Sequence, residues 1–229
     1  MAILAWILAS VAIGAITLFA ARAVAPAWAA NTNETATVVV AEVYAILIAT
    51  LYWVFGGSKG AWSVLRVRLV PGRAFAIAFV AVAASIVLED VGYLGVGAGD
   101  ALVGSYLRLG TDGGRLGVIG PLTTTLSLGR ACLLAPIGEE LLFRGAVYGW
   151  SRRWLSAWPA IVVNAVAWGA VSAALNGSAG FALLPLAIIS GLVLTWIRER
   201  TNSTLPGIAV HTVHNTAIVV AIYLLTGWR

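Results

Sequence analysis

Glu139, Glu140 and Arg144 stand together inside an apolar stretch, Gly138-Glu139-Glu140-Leu141-Leu142-Phe143-Arg144. An ionisable group at membrane depth costs several kcal/mol unless it is paired or hydrated, so three of them together mark a candidate site. On a helix, Glu140 and Arg144 fall at i and i+4, the spacing at which side chains stack and pair. Glu139 points roughly 100° away from Glu140. It is left free to face a cavity, where a carboxylate can act as a general base. A charge cluster at the end of a helix, with no chemistry, is the plain alternative on composition alone.

A second group lies near the C-terminus. His211, His214 and Asn215 are spaced i, i+3 and i+4, which puts all three on one helical face. These are the only two histidines in the chain. Two of them on one polar face favour a site over interhelical hydrogen bonding, the structural alternative. Asn164, Trp168 and Ser172 form a third stripe, with Asn176 beyond. Such a stripe is by itself more in keeping with packing than with catalysis. Arg130 and the pair Glu89-Asp90 lie at similar depth on sequential spans and suggest a structural ion pair. The single cysteine, Cys132, reads as a small buried hydrophobe.

The elements that must position these groups follow from composition. The chain has 229 residues, of which 61% are hydrophobic and 10% charged. Soluble domains carry roughly 25% charged residues. The expected fold is therefore all-α, a polytopic transmembrane bundle of about seven spans, with eight as the alternative count. The spans are placed at residues 3–24, 37–55, 74–92, 120–150, 159–175, 181–197 and 205–226. Residues 56–73 and the Asn-Gly-Ser-Ala-Gly stretch at 176–180 read as loops. The glycine-rich segment 93–118 reads as a long loop, part of it re-entrant or a short interfacial helix. Residues 1–119 supply N-terminal helices and that loop, and residues 120–226 a helical core, within a single membrane domain. Lys59, Arg66, Arg68, Arg73, Arg152, Arg153, Arg198 and Arg200 fall on one side, against Arg108, Arg115 and Arg229 on the other. The positive-inside rule then places the N-terminus in the cytoplasm. The net charge of +5 forms no dense basic patch, so nucleic-acid binding is not indicated.

Glu139-Glu140-x-x-x-Arg144, followed by Gly145, resembles the first motif of the CAAX-protease and bacteriocin-processing family of intramembrane endopeptidases. These are similar to type II CAAX prenyl endopeptidases. His211-x-x-x-Asn215 resembles that family's HxxxN motif. Between them the family has FxxxH, and here Trp168-Gly169-Ala170-Val171-Ser172 stands in its place, with serine where the histidine belongs. The resemblance implies that Glu139 activates a water to attack a peptide carbonyl. His211 and Asn215 would bind that water or the developing oxyanion. Glu140, Arg144, Trp168, Ser172 and His214 would support the site, with His214 a candidate stand-in for the lost histidine. No obligatory cofactor is implied. Zinc, if bound, would use Glu139 and His211, although the HExxH spacing is absent. The expected partners are the lipid bilayer and a peptide or membrane-protein substrate, in a prokaryotic plasma membrane. A catalytically inactive scaffold or immunity-type binding protein is the alternative. A small proton-coupled transporter ranks last, because the two halves show no inverted repeat.

Overall fold

The computed structural model describes residues 32–55, 57–95, 128–182 and 184–226, with isolated positions at 12, 16, 23, 111–112, 115–116 and 125. The expected first span at 3–24 lies almost wholly outside the described residues. Seven helices occur among those described: α1 (Thr32–Val54), α2 (Gly57–Val64), α3 (Gly72–Gly95), α4 (residues 130–151), α5 (Ala157–Ala182), α6 (Leu184–Thr201) and α7 (Leu205–Thr226). Pro159, Pro185 and Pro206 lie in the first turns of α5, α6 and α7. Proline is tolerated there because those N–H groups have no intrahelical acceptor.

Two expected loops are helical instead. Residues 57–64 within the 56–73 connection form α2, and residues 176–180 continue α5 without a break. Asn and Gly punctuate a chain in water. In an apolar surrounding the helix keeps its backbone groups bonded and the turn signal is overridden. Within the 93–118 segment, residues 93–95 continue α3. Its other described residues form a two-residue antiparallel ladder, Thr111–Asp112 against Arg115–Leu116.

The central element is α4, which packs against α1, α5, α6 and α7. It is not a uniform α-helix. A π-helical turn at Arg130–Leu134 precedes an α-helical turn at Ala135–Glu139. A second π-helical stretch, Glu140–Val147, leads into Tyr148–Ser151. Around it lies one apolar cluster including Leu47, Leu51, Leu65, Leu141, Phe143 and Trp168, and another of Ala78, Val82, Leu194, Ile197 and Val210 joins α3, α6 and α7.

At one end, two connections are stitched together. Arg66 adopts φ 58, and Asn202 φ 50. The left-handed turn at Arg66 costs about 1–2 kcal/mol for a residue with a Cβ. It presents the Arg66 carbonyl to the Thr204 N–H at 2.9 Å. The Ser203 hydroxyl donates to the Arg68 carbonyl at 2.6 Å and accepts from the Leu205 N–H at 3.2 Å. These bonds fix where α7 begins.

Among the described residues, one stretch is long and apolar enough to cross a membrane, Ala157–Ala174 of α5; shorter apolar stretches are Ala41–Val54 and Gly72–Ser85. Only 39% of the α5 window is buried, which is not how the core helix of a soluble protein sits. Val162, Val163, Val166 and Val171 all face outward. Contiguous apolar surface of this kind marks a membrane or protein interface.

The inner face of α5 meets α6 at close range. A Cβ on Gly191 would lie 3.0 Å from the Ala165 Cα and 3.1 Å from its carbonyl oxygen. Small residues of this kind let helix backbones approach in membranes. Asn164 adds a 2.7 Å hydrogen bond to the Thr195 hydroxyl across the same seam. Gly191→Val is expected to lower stability by about 1–3 kcal/mol through overpacking, read as a fall in the thermal midpoint in detergent. Adding Ala165→Gly should not restore it, because the obstacle is backbone.

Candidate functional site

The site is assembled on α4. Glu140 and Arg144 form an ion pair at 3.1 Å with both side chains fully buried. The expected i, i+4 pairing is present, although the backbone between them is π-helical rather than α-helical. Arg144 also lies under the face of Trp168, its Cζ 4.8 Å from the ring centroid. Glu140 reaches the start of α7, where a Cβ on Gly207 would sit 2.5 Å from its Oε2. Only glycine leaves that carboxylate its place.

Glu139 occupies a different environment, as its neighbouring position implied. Its Oε1 accepts a hydrogen bond from the Tyr44 hydroxyl at 2.7 Å, and its Oε2 one from the Trp168 indole N–H at 3.3 Å. Among the described residues, ion pairs form on Glu140 and Glu199 and none on Glu139. Glu139 is half-buried, and both of these hydrogen bonds come from neutral donors.

The α7 residues divide. His211 places Nδ1 3.5 Å from Glu140 Oε1. It therefore lies beside the Glu140–Arg144 pair. Asn215 is buried and donates from Nδ2 to the Ala131 carbonyl at 2.8 Å. Its Oδ1 lies 3.2 Å from His214 Nδ1. The backbone explains that bond. In the first π-helical turn the Ala135 N–H bonds to the Arg130 carbonyl, five residues back. The next donor in that register would be residue 136, which is proline and has none. The Ala131 carbonyl is left over, and Asn215 fills it. Ser172, half-buried, follows Trp168 by one turn on the same face of α5.

Two groups were not read from the sequence. Tyr44 carried no signal beyond being a phenol well inside a span. Gly207 carried only its place after Pro206. Of the supposed Arg130 ion pair, the side chains of Glu89 and Asp90 lie outside the described residues. Among the described residues, no three His, Cys, Asp or Glu side chains form a group suited to a metal. At the far end of α4, Tyr148 donates to Glu199 at 2.6 Å, beyond the apolar stretch of α6. That bond is the main cause holding the Glu199 carboxyl below the ordinary range.

Apart from one two-residue ladder, the described residues thus form a helical protein with a carboxylate–arginine–histidine cluster shared by α4, α5 and α7 and joined by α1 through Tyr44. Residues 121–217 match the family model described as type II CAAX prenyl endopeptidase Rce1-like, and this stretch contains every motif that suggested the resemblance. That family is one of membrane proteases. No curated protein and no solved structure matches the chain.

Two predictions follow from the burial. Arg144→Met strands the Glu140 charge and should cost about 3–5 kcal/mol, with most of the loss recovered in Glu140→Gln/Arg144→Met. Thermal unfolding of the three forms in one detergent measures both. Asn215→Ala leaves the Ala131 carbonyl bare, at a cost of about 1–3 kcal/mol. Pro136→Ala restores an N–H in register and should return part of that loss in the double variant.

Proposed function

We propose that the chain is an intramembrane endopeptidase of CAAX-protease type, inserted as a polytopic bundle of about seven spans with its N-terminus in the cytoplasm. Glu139 is its general base. The observation that carries this reading is the separation of the two carboxylates. Glu140 is committed to Arg144, while Glu139 is held by Tyr44 and Trp168 and remains available to a water. The water's proton passes to Glu139 as its oxygen attacks the peptide carbonyl carbon. The tetrahedral intermediate collapses by breaking the C–N bond, and Glu139 returns the proton to the leaving amine.

His211 and Asn215 stabilise the oxyanion. The Asn215 amide has two N–H donors. One is engaged by Ala131, which leaves the other for substrate. His211 Nδ1 lies 3.5 Å from Glu140 Oε1, and Nε2 is the nitrogen assigned to the reaction. No metal enters the scheme.

Ser172 supports a second reading, an inactive scaffold or immunity-type protein that binds peptides without cutting them. A serine hydroxyl hydrogen-bonds a water but does not titrate near neutral pH. The two readings separate on a membrane-anchored reporter peptide cleaved by purified protein in lipid nanodiscs. Glu139→Gln should lose about 10²–10⁴ in rate, the usual worth of one acid–base group. Ser172→His should gain activity, and Tyr44→Phe should lose part of it with the substrate KM unchanged. Equal background cleavage by wild type and Glu139→Gln would establish the scaffold reading instead. In the Asn215→Ala/Pro136→Ala variant, stability returning without turnover marks Asn215 as an oxyanion donor.

A further inference from the structure

A cleft of about 360 Å³ opens between the start of α3 and the end of α6, away from the Glu139 network, with Arg73, Ile77, Ala78, Trp196, Ile197 and Arg200 in its lining. Its polar rim is cationic, and no carboxylate lines it. Arg200 stacks over Trp196, with Cζ 5.5 Å from the ring centroid. Neighbouring arginines have other tasks: Arg68 donates to the Thr201 carbonyl, Arg198 to Asn202, and Arg152 pairs with Glu199. Arg73 and Arg200 are exposed at the cleft itself.

The floor is apolar, and it continues. From Ile77 the outward face of α3 runs through Val80, Ala84, Val87 and Val91, in steps of three and four residues. Ile77 is 57% exposed, Val80 70%, Val87 61% and Val91 58%, so the track is open along its length. At 1.5 Å per residue it extends roughly 20 Å, about the reach of one lipid acyl chain. Two cations at one end of an apolar track fit an anionic amphiphile. A free phosphate would leave the track unused, and a zwitterionic lipid would bring a cation to a rim that already holds two.

We propose that this cleft is a binding site for an anionic phospholipid, its phosphate between Arg73 and Arg200 and an acyl chain along α3. The side on which Arg73 and Arg200 lie is the cytoplasmic one of the proposed topology, where anionic headgroups attract juxtamembrane cations. The site rests on the membrane reading and not on any catalytic role.

The test is native mass spectrometry of the full chain, purified in a neutral detergent and titrated with phosphatidylglycerol, phosphatidylcholine or glycerol phosphate. Phosphatidylglycerol should be retained in preference to the other two. Arg73→Gln/Arg200→Gln should weaken it roughly thirtyfold, the combined worth of two cations at an anionic surface. Val80→Asn, on the track and away from the rim, should also weaken it. Both arginines are exposed, and unchanged circular dichroism would confirm that the double variant is folded. Equal retention of phosphatidylcholine, or of phosphatidylglycerol by the double variant, would overturn the site. Retention of glycerol phosphate as strong as that of the lipid would reduce it to a simple anion site and overturn the lipid assignment. Displacement by a prenylated peptide at lower concentration than by phosphatidylglycerol would reassign the cleft to substrate. Release of the chain from membranes by alkaline carbonate would count against the membrane reading itself, independently of these outcomes.

Discussion

A fully buried charge pair governs this fold. Glu140 and Arg144 are both inaccessible to solvent and 3.1 Å apart. Each ion loses hydration worth several kcal/mol, and their attraction offsets this only if the surrounding groups are arranged around both. That condition reaches across the bundle. Trp168 of α5 lays its ring over the guanidinium, His211 of α7 approaches the carboxylate, and Gly207 leaves the space the carboxylate fills. Gly145, one residue beyond Arg144, lets Leu65 come within 3.0 Å of where a Cβ would stand. These contacts tie α5 and α7 to α4 around the pair.

The backbone of α4 serves the same end. π-Helical turns are uncommon and are often found at functional sites, because they redirect side chains and leave carbonyls without their usual donors. Here one such carbonyl, that of Ala131, is taken up by Asn215 from another helix. A proline that would otherwise weaken α4 thus becomes a fixed point between α4 and α7. The link constrains His211 as well, since His211 and Asn215 are one turn apart on α7. A side chain that looks chemical in the sequence can in this way have a structural duty before any chemical one.

The sequence made some of this legible and not the rest, for physical reasons. Helix positions were readable because apolar length and first-turn prolines are local properties: α3, α5, α6 and α7 begin within about three residues of where hydropathy placed them. The Glu140–Arg144 pair was readable because i, i+4 contact is local too. The continuation of α5 through 176–180 was not, since glycine and asparagine signal turns only where water can take the freed backbone groups. Nor was the role of Tyr44. Its partner, Glu139, is 95 residues away, and no spacing rule reaches that far. The approach of His211 to Glu140 was not readable either, because two adjacent glutamates on one helix can be told apart only once their neighbours are in place.

The replacement of the motif histidine by Ser172 changes what Glu139 must do for itself. An ionised carboxylate has about four acceptor positions on its two oxygens. Tyr44 and Trp168 occupy one on each. The remaining lone pairs are those that would hold a water in the proposed mechanism, so two neutral donors orient the carboxylate without filling it. Arg144 pairs with Glu140 at 3.1 Å and reaches Glu139 only as a charge acting through space. Under the proposed function, Glu139 serves as the base although the second motif has lost its titrating member.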